Sequence, residues 1–563
     1  MRWTFRLAAV AALVVRAAVA SADSYPRQPG VDAWHYVFRL ELSDANPEIA
    51  GEATVDLLVR RDGVTDAALD LASAANGKGM TVTAVSSSGR PVTYVHKGNR
   101  LTMTLPAAAK SGQHLVFTIS YHGAPANGLR LIQNKYGEWS AFSENWPNRA
   151  REWLPMIDHP YDKATSEFIV TAPSKYQVVA NGLLQEVRDL GNGSRLTHWK
   201  ESVPIASWLN AIGVEQFDVH YAGRVKDVEL STWVAHQDRD AGRIYFEGPA
   251  RQALDFYSEH VGPYSYEKLA NVAAAGINGG TEHASAIFYG ERGIRAQPAT
   301  GLVAHEVAHQ WFGNSVTESD WDDVWLSEGF ATYFTHLFTE NYAGRDAMVE
   351  GLKRDKNTVF TFEKANPTLA VVHDNLSDMS KVLDRLVYQK GGWVLHMLRG
   401  QIGTDTFWAG IREYYRTYRN SSATTADLAR VMEQASGQDL AWFFKQWLYR
   451  AGSPVIKGSW KYNAAAKQIE IELHQTQAGD PYRLPLDIGV TSAAPAPSPP
   501  AAGRRNAAPP VGPATRVERI ELKDRDGAFT IASDSAPLSV QLDPNTWTLM
   551  EAEFVGPSTS DRK

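Results

Sequence analysis

The chain has 563 residues and a formal net charge of −7, and 44% of its residues are hydrophobic. This composition is typical of a globular protein with large cores, and the lack of net positive charge argues against binding to nucleic acid or to an anionic membrane surface. There is no cysteine, which excludes disulfides, thiolate nucleophiles, iron–sulfur clusters and cysteine-ligated zinc.

The first 22 residues have the layout of a secretory signal peptide. Arg2 and Arg6 precede an apolar stretch, and small residues suited to cleavage follow at 18–22. This order predicts export and removal of residues 1–22, leaving a periplasmic or secreted protein. A disordered or amphipathic N-terminus is the alternative. No later segment approaches the ~18 uncharged apolar residues of a membrane-spanning helix, so we predict no membrane span.

Residues 23–220 carry a strand pattern. Four runs are rich in alternating apolar or β-branched residues, and clusters of Gly, Asn and Pro separate them. The runs are YVFRLEL (36–42), EATVDLLV (52–59), RLTMTL (100–105) and HLVFTISY (114–121). We therefore predict an extended antiparallel β domain at 23–220.

Between about residues 240 and 455 the pattern is helical, because apolar residues recur at three- and four-residue spacing. The stretches with this pattern are 248–262, 302–314, 325–342, 385–402 and 439–452. We predict a largely helical domain here.

Strand patterns return after Pro454, in KQIEIELHQ and PLSVQLDP, and predict a C-terminal β domain at 456–555. Within it, residues 492–514 are rich in Pro and Ala and cannot bury a core. We predict a disordered insertion between two strands there, with a partner-recognition segment as the alternative.

The run LVAHEVAHQWFGN (302–314) places charged side chains on an apolar helix. His305 and His309 are four positions apart and project from one face, with Glu306 about 100° round from His305. Burying these groups unpaired would cost several kcal/mol. A zinc ion would compensate them, because in H-E-x-x-H two imidazoles bind the metal and the carboxylate holds a water against it.

A third zinc ligand is predicted at Glu328, in the segment WLSEGFA. Gly313 and Asn314 resemble a helix end, and Ser319 or Asp320 could cap the next helix. Two antiparallel helices joined by this short loop would bring Glu328 back to the histidines. Two His, one Glu and one water form a catalytic zinc site. A coincidental H-E-x-x-H on a surface helix is the alternative.

These motifs resemble the zinc aminopeptidases of the aminopeptidase N family, relatives of leukotriene hydrolase. That family's signature is H-E-x-x-H, eighteen residues and then Glu, which VAHEVAHQWFGNSVT and WLSEGFATY match. The resemblance extends over about residues 33–550 and implies one zinc ion per chain. It also implies a multidomain α+β fold, with an N-terminal β saddle domain, a thermolysin-like catalytic domain with a helical portion at 221–455, and a small C-terminal β-sandwich-like domain.

The segment GINGGTEH sits where the family has its G-x-M-E-N exopeptidase motif, although Thr281 and His283 depart from that pattern. The resemblance assigns Glu282 to binding the free α-ammonium of the substrate. Gly279 and Gly280 would let the backbone approach the peptide. A simple Gly-rich turn is the alternative.

Two further residues are assigned by resemblance alone. VYQKGGWVLHML resembles the segment with the family's catalytic tyrosine, which places it at Tyr388, whereas an isolated Tyr on an apolar helix is more often a core residue. FSENWPNRAREWLPMIDHPYDKAT resembles the family's N-domain segment and gives Glu144 a part in binding the ammonium. A solvated loop acid is the alternative for Glu144.

The resemblance implies a zinc metalloaminopeptidase that hydrolyses the first peptide bond of peptides with a free α-amine. Glu306 would act as general base on a metal-activated water, and zinc with Tyr388 would stabilise the oxyanion. Three alternatives stay open: a zinc endopeptidase, a catalytically silent peptide-binding relative, and an epoxide hydrolase of the leukotriene hydrolase kind. The strand-rich C-terminus disfavours the last.

Overall fold

The structure is a computed structural model that describes residues 23–373, 376–493 and 513–557. Two sequence-based predictions therefore lie outside the described residues: the signal peptide at 1–22 and, except for its ends, the insertion at 492–514. Within the described ranges, no helix has both the length and the apolar character needed to cross a membrane.

The N-terminal region is built from strands. They are β1 (Val31–Glu41), β2 (Ile49–Val59), β3 (Val64–Asp70), β4 (Gly79–Ser87), β5 (Arg90–Pro91), β6 (Thr93–Lys97), β7 (Arg100–Ala109), β8 (His114–Ala124), β9 (Leu129–Gln133), β10 (Trp139–Ser143), β11 (Lys163–Pro173), β12 (Gln177–Ala180), β13 (Leu183–Asp189), β14 (Ser194–Ala206) and β15 (Ile212–Glu215). The four runs predicted as strands lie in β1, β2, β7 and β8.

These strands form three sheets. An eight-stranded sheet has the order β13-β14-β11-β1-β2-β8-β4-β5, a four-stranded sheet the order β12-β15-β10-β9, and a three-stranded sheet the order β3-β7-β6. The prediction of an antiparallel domain is wrong at one place, because β1 and β11 pair in parallel. A long connection separates these two strands in the chain, which is what a parallel pair requires.

A mixed sheet and a set of helices follow. The elements are β16 (Phe217–Val225), β17 (Val228–Ala235), α1 (Arg239–His260), β18 (Lys268–Ala274), β19 (Gly280–Thr281), β20 (Ala286–Gly290), α2 (Thr300–His309), β21 (Val316–Glu318), α3 (Trp325–Ala343), α4 (Arg345–Ala365), α5 (Gly391–Ile402), α6 (Thr404–Tyr418), β22 (Ser421–Ala423), α7 (Thr425–Ser436) and α8 (Ala441–Leu448). The sheet has the order β16-β17-β18-β20-β19. Since β16 begins at Phe217, we move the proposed domain boundary from 220/221 to 216/217.

This mixed sheet lies between the N-terminal strands and the helices. Along β18, Leu269 and Ala273 belong to the hydrophobic core formed with the helices. Ala270 and Val272, on the opposite face, belong to the core shared with the N-terminal strands. This alternation follows from the two-residue period of a strand. The segment that connects β18 to β19 therefore begins at the boundary between the N-terminal strands and the helices.

Helix α2 is shorter than the sequence predicted, because it ends at His309 and not at Gly313 or Asn314. The amide of Gln310 donates to the carbonyl of Val307 at 3.1 Å, and that of Trp311 donates to Ala308 at 3.0 Å. Such bonds between residues three apart tighten and terminate a helix. The chain turns directly after the second histidine of the motif.

The start of α3 also differs from the prediction. Asp320 accepts a hydrogen bond from the amide of Asp322, and so caps a short 3₁₀ turn at 321–323. Helix α3 begins after this turn, at Trp325. Ser319, the other candidate cap, does not cap this turn.

A π-helical turn, Leu386–Lys390, precedes α5, where the sequence predicted one continuous helix at 385–402. A π turn fits one extra residue into the helical path, which a search for apolar residues at three- and four-residue spacing does not detect. The turn carries Tyr388.

The C-terminal region again consists of strands, as predicted. They are β23 (Val455–Asn463), β24 (Gln468–Gln475), β25 (Leu484–Ser492), β26 (Ala514–Leu522), β27 (Asp526–Ala532), β28 (Ser539–Leu542) and β29 (Glu551–Val555). One sheet has the order β27-β24-β23-β29 and the other the order β26-β25-β28. Buried residues of both sheets, such as Ile471 and Ile488, lie in the same core as the helices.

Helix α3 packs tightly against the π turn and α5, and Gly329 makes this approach possible. A Cβ atom at Gly329 would lie 2.9 Å from the carbonyl carbon of Gly391 and 3.1 Å from the carbonyl oxygen of Val387. Both atoms belong to the backbone and cannot rotate away. The spacing between Glu328 and the π turn therefore depends on the absence of a side chain at position 329.

We expect Gly329→Ala to destabilise the fold by about 1–3 kcal/mol, because overpacking forces the two helical segments apart. Gly301→Ala is the matched control, since position 301 is exposed in α2 and a Cβ there would meet no described atom within 4 Å. The control should be neutral or up to about 1 kcal/mol more stable. Thermal unfolding of both variants checks this. Equal melting temperatures would contradict the packing argument.

Candidate metal centre

Three predicted ligand atoms converge between α2 and α3. Nε2 of His305 and Nε2 of His309 are 3.2 Å apart. Oε2 of Glu328 lies 3.5 Å from the first nitrogen and 3.2 Å from the second. The structure thus brings together the three side chains that the motif spacing singled out.

The hydrogen bonds of His309 fix which ring nitrogen carries the proton. Its Nδ1 lies 3.2 Å from the carbonyl oxygen of Phe312 and 3.1 Å from Oγ of Ser327. A carbonyl only accepts, so Nδ1 is the donor, and in the neutral ring Nε2 presents its lone pair to the centre. This is the tautomer that a metal ligand requires.

The buried carboxylates of the centre repel one another, so a positive charge between them is stabilising. Burial raises the pKa of Glu282 to about 7, with His309 opposing and Glu328 adding to the shift. Burial, and then the charge of Glu282, raise the pKa of Glu306 well above its ordinary value. Burial lowers the pKa of His309, but the carboxylates around it outweigh this and raise it to about 10. A cation held here relieves the repulsion.

The geometry fits zinc. Four tetrahedral ligands about 2.0–2.1 Å from one ion lie roughly 3.3 Å from one another, and the three observed separations are 3.2, 3.2 and 3.5 Å. Two neutral imidazoles and one carboxylate are a ligand set typical of catalytic zinc, which leaves a fourth position for water. Burial raises the pKa of Glu328, but His309 and His305 outweigh it and lower the value to about 2, so this ligand is ionised.

The loop that carries Glu282 is tied to the end of α2. The carbonyl of Glu282 accepts hydrogen bonds from Nδ2 of Asn314 at 2.5 Å and from Nε2 of Gln310 at 3.0 Å. Oε1 of Gln310 accepts from the amide of Ser285 at 2.9 Å. These bonds set the position of Glu282 relative to His309, the last residue of the helix.

The two predicted glycines of this loop have different structural roles. Gly279 has φ +72°, a left-handed backbone conformation that residues with a side chain rarely adopt. A Cβ at Gly280 would lie only 2.4 Å from the carboxyl carbon of Glu306. Gly280 therefore leaves room for the carboxylate of the H-E-x-x-H motif.

The departures from the family pattern at 281 and 283 are both buried. His283 is fully enclosed and its ring contacts Phe288 edge-on, with 4.9 Å between ring centroids. Burial lowers the pKa of His283 to about 4, so the ring is neutral at pH 7. Thr281 pairs with Phe288 between β19 and β20 and lines the cavity beside Glu282.

All the predicted site residues line one cavity of about 490 Å³. Its walls combine the ligands and acids with apolar and backbone groups. The lining residues are Arg130, Glu144, Trp146, Gly276, Ile277, Asn278, Gly279, Gly280, Thr281, Glu282, Leu302, His305, Glu306, His309, Glu328, Leu383 and Tyr388. Within the described chain, none of the hydrogen-bond donors reaches Oε1 of Glu282, although this atom is buried.

Tyr388 lies beside the ligand cluster. Its hydroxyl donates a hydrogen bond to Oε1 of Glu328 at 2.8 Å, and its ring stacks on His305 with 6.2 Å between centroids. Burial, together with the charges of Glu328 and Glu282, raises the pKa of Tyr388 far above its ordinary value. The hydroxyl is therefore a fixed proton donor that points into the cavity.

Glu144 lines the cavity as predicted, but its carboxylate already has two partners. Oε2 accepts a hydrogen bond from Arg130 at 2.5 Å and another from Arg149 at 2.6 Å. Burial raises the pKa of Glu144, and the two guanidinium groups oppose that shift. Glu144 therefore differs from Glu282, which has no such counter-ion at its Oε1.

Sequence reasoning missed several residues that shape this site: Gln310, Asn314, Ser327 and Arg130. Three of them follow a ligand or precede one within five positions, so a search for amide and hydroxyl side chains flanking the motif would have found them. Arg130 had no such signal, because it lies on β9, 14 positions before Glu144 and outside every motif.

Comparison with known proteins places the chain in a family. Residues 248–447 match the peptidase family M1 domain, and residues 33–209 match the peptidase M1 N-terminal domain. The chain belongs to peptidase family M1.

Relatives within family M1 are distant in sequence. Glutamyl aminopeptidase of Rattus norvegicus is 27% identical over 368 residues, which cover 62% of this chain and 38% of the rat protein. Aminopeptidase M1 of Arabidopsis thaliana is 28% identical over 351 residues, which cover 59% of this chain and 38% of the plant protein. The chain thus spans about two fifths of the length of these curated relatives.

Solved family M1 structures share the architecture more completely. The M1 zinc metallopeptidase of Deinococcus radiodurans superposes with a TM-score of 0.64 at 26% identity, covering 75% of this chain and 94% of that one. A mutant of the same protein, bound to a Tyr-Ser-Ala substrate, gives a TM-score of 0.66. These matches confirm the predicted multidomain α+β fold, with a β-rich N-terminal domain, a central M1 catalytic domain with a helical portion, and a C-terminal β region.

We expect the wild-type protein to contain about one zinc ion per chain. The zinc content of Glu328→Gln should be much lower, because one of the three protein ligands loses its charge. Glu340→Gln is the matched control on the same helix, since Glu340 pairs with Arg399 away from the cavity. Elemental analysis of dialysed protein gives the stoichiometry. Full zinc occupancy in Glu328→Gln would contradict the ligand assignment.

Proposed function

We propose that the chain is a zinc aminopeptidase that hydrolyses the first peptide bond of peptides with a free α-amine. The observation that carries this proposal is the placement of Glu282 in the same cavity as the three ligands, buried and with its Oε1 unpaired within the described residues. The names of the relatives, glutamyl aminopeptidase and aminopeptidase M1, support the same activity.

Glu282 anchors the substrate. Its carboxylate pairs with the α-ammonium of the peptide, and this pairing stabilises the ionised form of an acid whose pKa burial raises to about 7. Because the amine is held at a fixed distance from the ligand cluster, only the first peptide bond can reach the cluster. We assign the ammonium to Glu282 alone, because two arginines already bind Glu144.

His305, His309 and Glu328 would hold the zinc ion, which would supply the Lewis acidity that polarises the substrate carbonyl and lowers the pKa of the attacking water towards ~7. Glu306 takes the proton from the attacking water as general base and then delivers it to the leaving amine. The hydroxyl of Tyr388 has one proton, which it donates to Oε1 of Glu328 in the structure, so during the reaction this hydroxyl would turn from Glu328 to donate to the oxyanion as negative charge develops there.

The alternatives differ in what they require of Glu282. A zinc endopeptidase needs no carboxylate for a substrate ammonium, and this buried acid would have no role in it. A catalytically silent peptide-binding relative would need neither Glu306 nor Tyr388 at the cluster, yet both line the cavity. The third alternative, an epoxide hydrolase, gains no support from the C-terminal region, which consists of strands in the part that the structure describes.

Glu306→Gln tests the proposal. We expect this variant to retain zinc and to hydrolyse aminoacyl 4-nitroanilides about 10²–10⁴-fold more slowly, because the general base is lost. The control substrates are the same anilides with an acetylated amine, which the wild type should leave intact. Wild-type turnover by Glu306→Gln, or cleavage of the acetylated anilides, would contradict the proposed mechanism.

We also propose that the protein is exported and that cleavage after Ala22 makes Asp23 the first residue. The small-residue pattern at 18–22 supports this cleavage site. In the structure the backbone nitrogen of Asp23 lies 3.0 Å from Oδ1 of Asp320, in a buried position. A free α-ammonium at Asp23 would form an ion pair with that carboxylate.

Intact mass and N-terminal sequencing of protein recovered from the periplasm or the medium test this processing. We expect a chain that begins at Asp23. Recovery of the chain only inside the cell, with residues 1–22 retained, would contradict export.

A further inference from the structure

A guanidinium group stands in the wall of the active-site cavity, where neither the proposed mechanism nor the family motifs use it. Arg130, on β9, lines the cavity together with Glu282. About a third of its side chain is exposed. One terminal nitrogen donates to Glu144 at 2.5 Å and the other donates to the carbonyl of Gly276.

The charge around Arg130 does not balance. Glu144 is one carboxylate, and both Arg130 and Arg149 donate to the same oxygen of it. The three side chains together carry a net charge of +1, and of the two cations only Arg130 lines the cavity. A guanidinium has five N–H donors in a planar fork, so Arg130 keeps donors free for a second carboxylate after binding Glu144 and Gly276.

The position of Arg130 decides which part of a substrate it can reach. Arg130 and its partner Glu144 line the same cavity as Glu282. In an aminopeptidase, a single residue separates the ammonium held by Glu282 from the bond that breaks. A cation beside the ammonium site therefore contacts the side chain of the N-terminal residue, and the leaving peptide lies beyond the ligand cluster.

We propose that Arg130 makes this cavity selective for substrates whose N-terminal residue has an acidic side chain, Asp or Glu. This inference rests on the proposed function and adds the substrate class to it. An acidic side chain neutralises the wall and forms charge-assisted hydrogen bonds with the guanidinium. A Lys or Arg side chain adds a like charge in a partly buried site. Glu144 is then a positioning residue that holds Arg130 in place.

Apolar groups complete the subsite. Leu302, Leu383 and Trp146 line the same cavity and offer contacts to the methylene groups of a Glu side chain. These groups do not distinguish Glu from Gln, whose shapes are nearly the same. The comparison of Glu with Gln therefore isolates the contribution of the charge.

The test is the hydrolysis of Glu, Gln, Leu and Lys 4-nitroanilides by the wild type and by Arg130→Gln. We expect the wild type to prefer Glu to Gln and both to Lys. In Arg130→Gln the ratio of kcat/KM for Glu to that for Gln should fall about tenfold or more, which is the value expected for one charge-assisted hydrogen bond. Arg130→Lys should retain part of the preference.

Arg149→Gln is the matched control. Arg149 binds the same oxygen of Glu144 and is similarly exposed, but it is outside the described cavity lining. In Arg149→Gln the ratio of kcat/KM for the Glu anilide to that for the Gln anilide should stay within about threefold of the wild-type ratio. If Arg130→Gln slows all four anilides equally, Arg130 only fixes β9 to the neighbouring loop and the proposal is wrong. Faster cleavage of Lys than of Glu by the wild type would also overturn it.

Binding to zinc-loaded Glu306→Gln separates this inference from the activity. Calorimetry with free L-glutamate and L-glutamine should show that this variant binds glutamate more tightly. The double variant that also carries Arg130→Gln should bind the two amino acids equally. If no anilide is hydrolysed but glutamate still binds more tightly in an Arg130-dependent way, the proposed activity fails and the acidic subsite stands. Equal binding of the two amino acids would overturn the subsite.

Discussion

Repulsion among buried carboxylates is the constraint on which the centre depends. Glu282, Glu306 and Glu328 are each no more than 6% exposed and share one cavity. Their charges cannot be buried together without a cation between them. The two imidazoles supply lone pairs to hold that cation, and the apolar faces of α2 and α3 place them. Under the proposed function the cavity serves both as a metal site and as an anchor for an ammonium group, because each positive charge relieves the same repulsion.

The second requirement is that the ammonium anchor and the ligands keep a fixed separation. Gln310 and Asn314, just beyond the end of α2, hold the carbonyl of Glu282. Gly280 lets this loop approach Glu306. The early end of α2 at His309 is therefore functional, since a longer helix would carry these two amides away from the loop.

Regular spacing made part of this architecture predictable. His305 and His309 are one helical turn apart, and the apolar pattern of α3 placed Glu328 on a neighbouring helix, so the ligand set followed from the sequence. Strand alternation likewise identified the N-terminal and C-terminal β regions. The parallel pairing of β1 with β11, the start of β16 at Phe217 and the end of α2 depend on contacts between distant residues. Arg130 was not predictable, because only folding brings β9 to the cavity.

The π turn at Leu386–Lys390 has a consequence for how the position of the Tyr388 hydroxyl is encoded. Removing one residue from this turn would restore a regular helix and rotate Tyr388 about 100° around its axis, away from Glu328. The hydroxyl is thus positioned by the number of residues between Asp384 and Gly391 as well as by Tyr388 itself. A single-residue deletion in this segment would displace the hydroxyl even where Tyr388 is retained, so the length of the segment is a constraint in its own right.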